Sequence, residues 1–199
     1  MAMSFDELTS NASFTKNIKG KVTLLPDPPR APRDFLMISC DDHVVEPPTT
    51  FTGRVPKHLA DRAPRVVEAD GVEQWLFDGE LLPNVGFNAV AGRPVDEYSF
   101  DPTRFDQMRR GTWDVANRVH DMDLDGVYAS LNFPSFVPGF AGQRLYQVAK
   151  DPELAIACTR AWNDWMLDEW CAYAPGRFIP MQLPIWTDPK VAADEIRKN

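Results

Sequence analysis

The sequence predicts an α/β fold with a parallel sheet, and three observations carry that prediction. First, apolar runs of strand length occur at Phe35-Leu36-Met37-Ile38, Val127 to Ser135 and Arg177 to Pro184. Second, helical patterns separate and follow these runs. Third, two of those helices open on Asp-Pro, at Asp151-Pro152 and Asp188-Pro189. The aspartate accepts from free N–H groups of the first turn, and proline is tolerated at the first helical position, so each pair is a local start signal. Strands that alternate with helices imply parallel pairing through right-handed crossovers.

The elements follow in order. Residues 1–34 read as an N-terminal arm and linker, and 35–199 as the folded domain, with 49–103 inserted in it. The first 20 residues are polar and weakly periodic, and Pro26, Pro28, Pro29 and Pro32 make 25–33 an extended linker. Strand one comes next. Its apolar start suits burial on both faces, and it then changes to Asp41-Asp42-His43 and Glu46 before Pro47-Pro48 ends regular structure. Strand side chains alternate, so Asp41 and His43 are expected on one side and Asp42 on the other. A carboxylate and an imidazole side by side at a strand end make half of a divalent-metal site. Taken alone, the same residues also fit a strand with a solvated acidic end.

In the insertion, residues 65–80 read as a small hairpin turning at Asp70-Gly71, with a second Asp-Gly, Asp78-Gly79, closing its other end. Asn84 to Tyr98 reads as a flexible loop. On the face beyond the strand ends, such an insertion serves either as a substrate wall or as an edge decoration. Phe105, Met108, Val115, Val119 and Met122 form a stripe that predicts a helix over 104–124, started by Asp101-Pro102. His120 falls on this helix as a surface residue, and His58 has no ligand-like partner spacing. The next helix is expected from Asp151 to about Tyr173, where Ala174-Pro175-Gly176 stops it. Its apolar face, with Trp162, Trp165 and Trp170, is broad enough to demand cover on two sides, by the sheet and by another helix or subunit. A homo-oligomer is therefore expected.

The stretch Ile38-Ser39-Cys40-Asp41-Asp42-His43-Val44-Val45-Glu46-Pro47-Pro48 resembles the first-strand motif of the amidohydrolase-related metal-dependent hydrolases. These TIM-barrel enzymes include the aminocarboxymuconate-semialdehyde decarboxylase-like lyases. The run from Arg118 to Val127 resembles the same family's junction between helix and second strand. The resemblance runs from Ile38 to the last residue and implies a partial (β/α)₈ barrel, about its first three βα units. It implies one divalent metal ion, Zn, Mn, Fe or Mg, held by Asp41 and His43 in the place of the family's H-x-H or E-x-H. A carboxylate at the first position moves preference toward Mn, Mg or Fe. Glu46 would then be a substrate-facing or supporting carboxylate. The family's other groups follow strands five, six and eight, so the general base is expected beyond Asn199 and this portion alone is expected to be inactive. The implied activity is hydrolysis or non-oxidative decarboxylation of a small carboxylated or cyclic substrate. A second reading, a non-catalytic α/β module that binds a partner protein through its Trp-rich helix, leaves Asp41, His43 and Glu46 unexplained.

Composition bounds the rest. With 44% hydrophobic residues in 199, the chain can build a core, yet a whole barrel typically takes ~250 residues. A net charge of −8 argues against a nucleic-acid or anionic-membrane surface. No apolar signal region or membrane-length stretch is found, which points to the cytoplasm. Cys40, Cys158 and Cys171 lack C-x-x-C spacing and read as reduced thiols.

Overall fold

The computed structural model describes residues 22–82, 85–86, 88–99 and 102–199. The expected arm at 1–20 lies outside them, as do Asn84 and Asp101. The proline-rich linker is extended and tied down, with Asp27 accepting from Arg109 at 2.7 Å and standing 2.9 Å from His120 Nε2. His120 is thus a surface residue that anchors the linker.

Two sheets form. The first joins β1 (Met37–Val44), β5 (Val127–Pro134) and β6 (Phe178–Ile179), all parallel and in that order. The second is an antiparallel meander of β2 (Arg65–Ala69), β3 (Val72–Phe77) and β4 (Glu80–Leu82). Asp70-Gly71 and Asp78-Gly79 both take positive φ at each residue, the backbone of a two-residue hairpin turn. The expected hairpin is present, but its second Asp-Gly leads into a third strand instead of closing the unit.

In the parallel sheet β5, not β1, is central. Three strands in chain order are common to a barrel and to half of a doubly wound sheet, so they establish a partial α/β fold and no closed barrel. Strand one is not buried on both faces as expected. Most of β1 is solvent-exposed and only Val44 of the strand is fully buried, because the helices of the described residues cover one side of the sheet alone. Strand three is also shorter than 177–184. Pro180 and Pro184 carry no N–H, and both backbone groups of Leu183 are taken by the Asn163 side chain, at 2.7 and 3.2 Å.

Among the described residues four α-helices accompany the sheets: α1 (Val115–Leu124), α2 (Gln143–Val148), α3 (Pro152–Trp165) and α4 (Pro189–Lys198). Asp151 caps α3 by accepting from Leu154 N at 3.0 Å, and Asp188 caps α4 in the same way. A wider turn, Met166–Cys171, continues α3 to Tyr173 as expected. The helix over 104–124 is a correction: α1 starts only at Val115, with Asp114 as its cap, after two short 3-10 turns. Backbone groups that a longer helix would need are used elsewhere. Thr112 O accepts from Val45 N at 2.9 Å and Gly111 O from Arg118 Nε at 2.6 Å. Helix α2 was not expected.

Helix α3 is the centre of the core. Phe178 of the sheet packs against Trp170, α4 joins through Arg160–Glu195 at 3.0 Å, and the insertion covers a further side. Arg54 pairs with Glu169 near the C-terminal end, and His58 with Glu153 at the N-terminal end. Residues 54–62 therefore run antiparallel to the helix. Trp162, Trp165 and Trp170 are buried within the chain itself, so the second cover is the insertion and α4, not another subunit. No helix among the described residues is long and apolar enough to cross a membrane.

Candidate functional site

The C-terminal ends of β1 and β5 open into a cleft of about 680 Å³, walled on one side by Asn88 to Ala91 of the insertion. This part of the insertion therefore lines the cleft.

A bulge in β1 aims the side chains here. Ser39 is opposite Ser130 and Asp42 is opposite Asn132, so three residues of β1 match two of β5. Asn132 donates to Ser130 Oγ at 3.0 Å and Ser130 donates to Asp42, which puts Ser39, Asp42, Ser130 and Asn132 on the helix-covered side. Unbulged alternation from Ser39 would have turned His43 toward the helices. The extra residue returns Asp42 to that layer and leaves Asp41 and His43 facing the cleft.

Asp41 and His43 meet there as expected, Asp41 Oδ1 standing 4.0 Å from His43 Nε2. Both are open to solvent, their side chains 90% and 62% exposed. His43 Nδ1 lies 3.1 Å from Pro134 O. A carbonyl can only accept, so Nδ1 carries the proton and, in the neutral ring, Nε2 presents its lone pair beside the carboxylate. Arg118 fixes the strand behind them, donating from Nη2 to His43 O at 2.6 Å, with Asp42 3.9 Å away. Burial pulls its guanidinium below the usual arginine range.

This pair can share a divalent ion. Ligands about 2.0–2.2 Å from one metal are at most ~4.4 Å apart, and a ring held by a backbone carbonyl through its other nitrogen is how metal-bound imidazoles are commonly oriented. Among the described residues no third histidine, cysteine or carboxylate joins them.

Glu46 is not substrate-facing. It is 1% exposed and lies behind the cleft wall, accepting from Ser135 N at 3.0 Å and Trp162 Nε1 at 3.2 Å. Burial pushes its carboxyl up to about 7, against the pull of these N–H donors. His58 pairs with Glu153 at the surface and takes no part.

Sequence reasoning missed Arg144, which lines the cleft from α2. Its guanidinium lies 4.2 Å over the Phe136 ring and donates to Phe136 O. The only local signal was Gly139-Phe140-Ala141-Gly142, where three residues take positive φ and start α2.

No protein-family profile matches the sequence, and no curated protein matches it either. Its structure is similar to the crystal structure of an amidohydrolase from Mycobacterium avium subsp. paratuberculosis K-10, with a TM-score of 0.63 at 18% identity. The match covers 83% of this chain and 47% of that one, so the chain spans about half the length of the protein it resembles. At that identity the likeness concerns architecture alone: this chain shares the α/β fold of about half of that protein.

Proposed function

We propose that this chain supplies one wall of the active-site cleft of a metal-dependent hydrolase or carboxy-lyase acting on a small carboxylated or cyclic substrate. The observation that carries the reading is the Asp41–His43 pair, 4.0 Å apart at the end of a parallel strand and open to a cleft. Parallel α/β sheets place ligands at that end. Asp41 and His43 would hold the ion, which when bound polarises a substrate oxygen or lowers the pKa of water. The Nδ1 contact with Pro134 keeps the imidazole turned so that Nε2 can ligate. Arg118 keeps the strand end in place, and Arg144 presents a cation to a substrate carboxylate. Phe133 and Phe136 give the cleft apolar surface for a ring.

Two protein donors are fewer than the three or four of a tight site, so the remaining ligands and the general base are expected outside the described residues. The chain alone is expected to bind metal weakly and to show little turnover. A partner-binding module resting on the Trp-rich helix finds no support, since those tryptophans are internal.

The test is equilibrium dialysis of the chain against Mn²⁺, Zn²⁺ and Mg²⁺. Asp41→Asn and His43→Asn should each weaken binding of the preferred ion by at least about tenfold, the scale of losing one ligand interaction. Equal binding by a variant with both substitutions would remove the basis of the reading.

A further inference from the structure

Glu46 carries more than a structural bond. One oxygen of its carboxylate joins three elements: the chain just after β1, the end of β5 through Ser135 N, and α3 through Trp162 Nε1. Ser135 and Phe136 form the cleft face of that same wall, and Arg144 stands against Phe136. Among the described residues Arg144 has no carboxylate within 4 Å. The opposite charge that acts on it is Glu46, which offsets the downward pull of burial on the guanidinium. The buried carboxylate thus acts on the half-buried guanidinium through the backbone of Ser135 and Phe136, which they hold from opposite sides.

That arrangement changes when an anion enters. A ligand carboxylate at Arg144 adds a second negative charge to a cation already balanced by Glu46. Two like charges sharing one counter-charge in a poorly hydrated wall disfavour each other's ionised form. The economical response is for Glu46 to take a proton from water and become neutral.

We infer that Glu46 is a positioning residue for an anion-binding wall, holding Ser135 and balancing Arg144 from behind, so that anion entry at Arg144 is coupled to proton uptake by Glu46. This rests on the proposed carboxylated substrate. The groups facing Glu46 are Arg144 from α2, the amides of Ser135 and Val137, and the Trp162 indole from α3. His43 and Asp41 lie in the same cleft, and His43 is controlled for below. Burial has already brought the Glu46 carboxyl to about 7, so the proton is exchanged near neutrality.

The experiment is calorimetric titration of the whole chain with benzoate, in two buffers of different ionisation enthalpy. Wild type should take up protons on binding at pH 7. Its affinity should fall at least about fivefold from pH 6 to pH 8, the lower end of ordinary site-to-site coupling. Glu46→Gln, which keeps an acceptor for Ser135 and Trp162, should bind at the wild-type pH 6 affinity with a flat profile. His43→Asn should keep the wild-type profile. Wild-type pH dependence in Glu46→Gln, its loss in His43→Asn, or no benzoate binding at pH 6 overturns the inference. Should Glu46→Gln not fold, carbon NMR of labelled glutamate serves instead. Arg144→Met should raise the pH at which Glu46 ionises, and an unchanged value counts against the coupling. Dialysis of the same samples separates the two claims. Proton coupling without metal binding sinks the hydrolase reading alone; metal binding without coupling sinks this one alone.

Discussion

The Trp170 indole Nε1 donates to the Asn132 side-chain oxygen across 2.9 Å. Asn132 donates onward to Ser130, and Ser130 to Asp42. This buried chain of bonds ends on the carboxylate between Asp41 and His43, and it holds Asp42 in the helix layer. The polarity of β5, unusual for a central strand, is explained by it.

Asn132→Ala should therefore lower stability by about 2 kcal/mol, since it leaves the Trp170 indole N–H without its acceptor and takes from Ser130 Oγ the bond it accepts, in a dry interior. Urea unfolding measures it, and a loss under about 0.5 kcal/mol would mean that the network carries little.

Stability should also fall from mildly acid to mildly alkaline pH. Folding raises the Glu46 carboxyl from 4.5 to about 7, so the folded state binds this proton more tightly than the unfolded chain. The associated stability is complete below 4.5 and is lost as pH rises through 7. At 1.36 kcal/mol per unit it amounts to roughly 3 kcal/mol. Unfolding free energies at pH 5 and pH 8 should differ less in Glu46→Gln; an equal difference refutes the assignment to this residue.

Of the six tryptophans, Trp75, Trp162, Trp165 and Trp170 are buried, Trp113 is partly buried and Trp186 is 55% exposed. Trp186→Phe should remove most of the acrylamide-quenchable fluorescence. Trp165→Ala should cost about 3–5 kcal/mol as a core truncation. Quenching unchanged by Trp186→Phe would place the accessible indole elsewhere.

Self-association is expected through the uncovered sheet, not through the tryptophan helix. Phe35, Leu36, Met37 and Ile38 are exposed, and among the described residues no further strand pairs with either edge of the parallel sheet. Light scattering should give a mass above 22.5 kDa, and Leu36→Glu with Ile38→Glu should reduce it. A monomer at all concentrations would show that this face needs no cover.

Local signals were legible in the sequence. Asp151-Pro152, Asp188-Pro189 and Asp70-Gly71 act within a few residues, and each did what its chemistry dictates. The Asp41–His43 pairing was legible too, although plain alternation was not the whole cause. What was not legible depends on partners distant in sequence. The span of the third strand was set by Asn163, 20 residues before Leu183. The apolar stripe of 104–124 was real burial, with Phe105 and Met108 in the core, but periodicity cannot distinguish one helix from two short turns followed by another. Arg144 gave no signal beyond the glycines at 139 and 142, because its meaning comes from Phe136 and Glu46.

The bulge between Ser39 and Asp42 means that strand length, as much as side-chain identity, is inherited information at this site. Flattening the bulge with every residue kept would leave every candidate ligand in the sequence and still exchange the faces, sending His43 among the tryptophans and Asp42 into the cleft, whereas deleting Cys40 would restore plain alternation with each ligand on its present face. A one-residue insertion here that no bulge absorbs would then act like a multiple substitution. When this segment is compared with other proteins, a one-position gap before the aspartate pair decides whether matching letters occupy matching places.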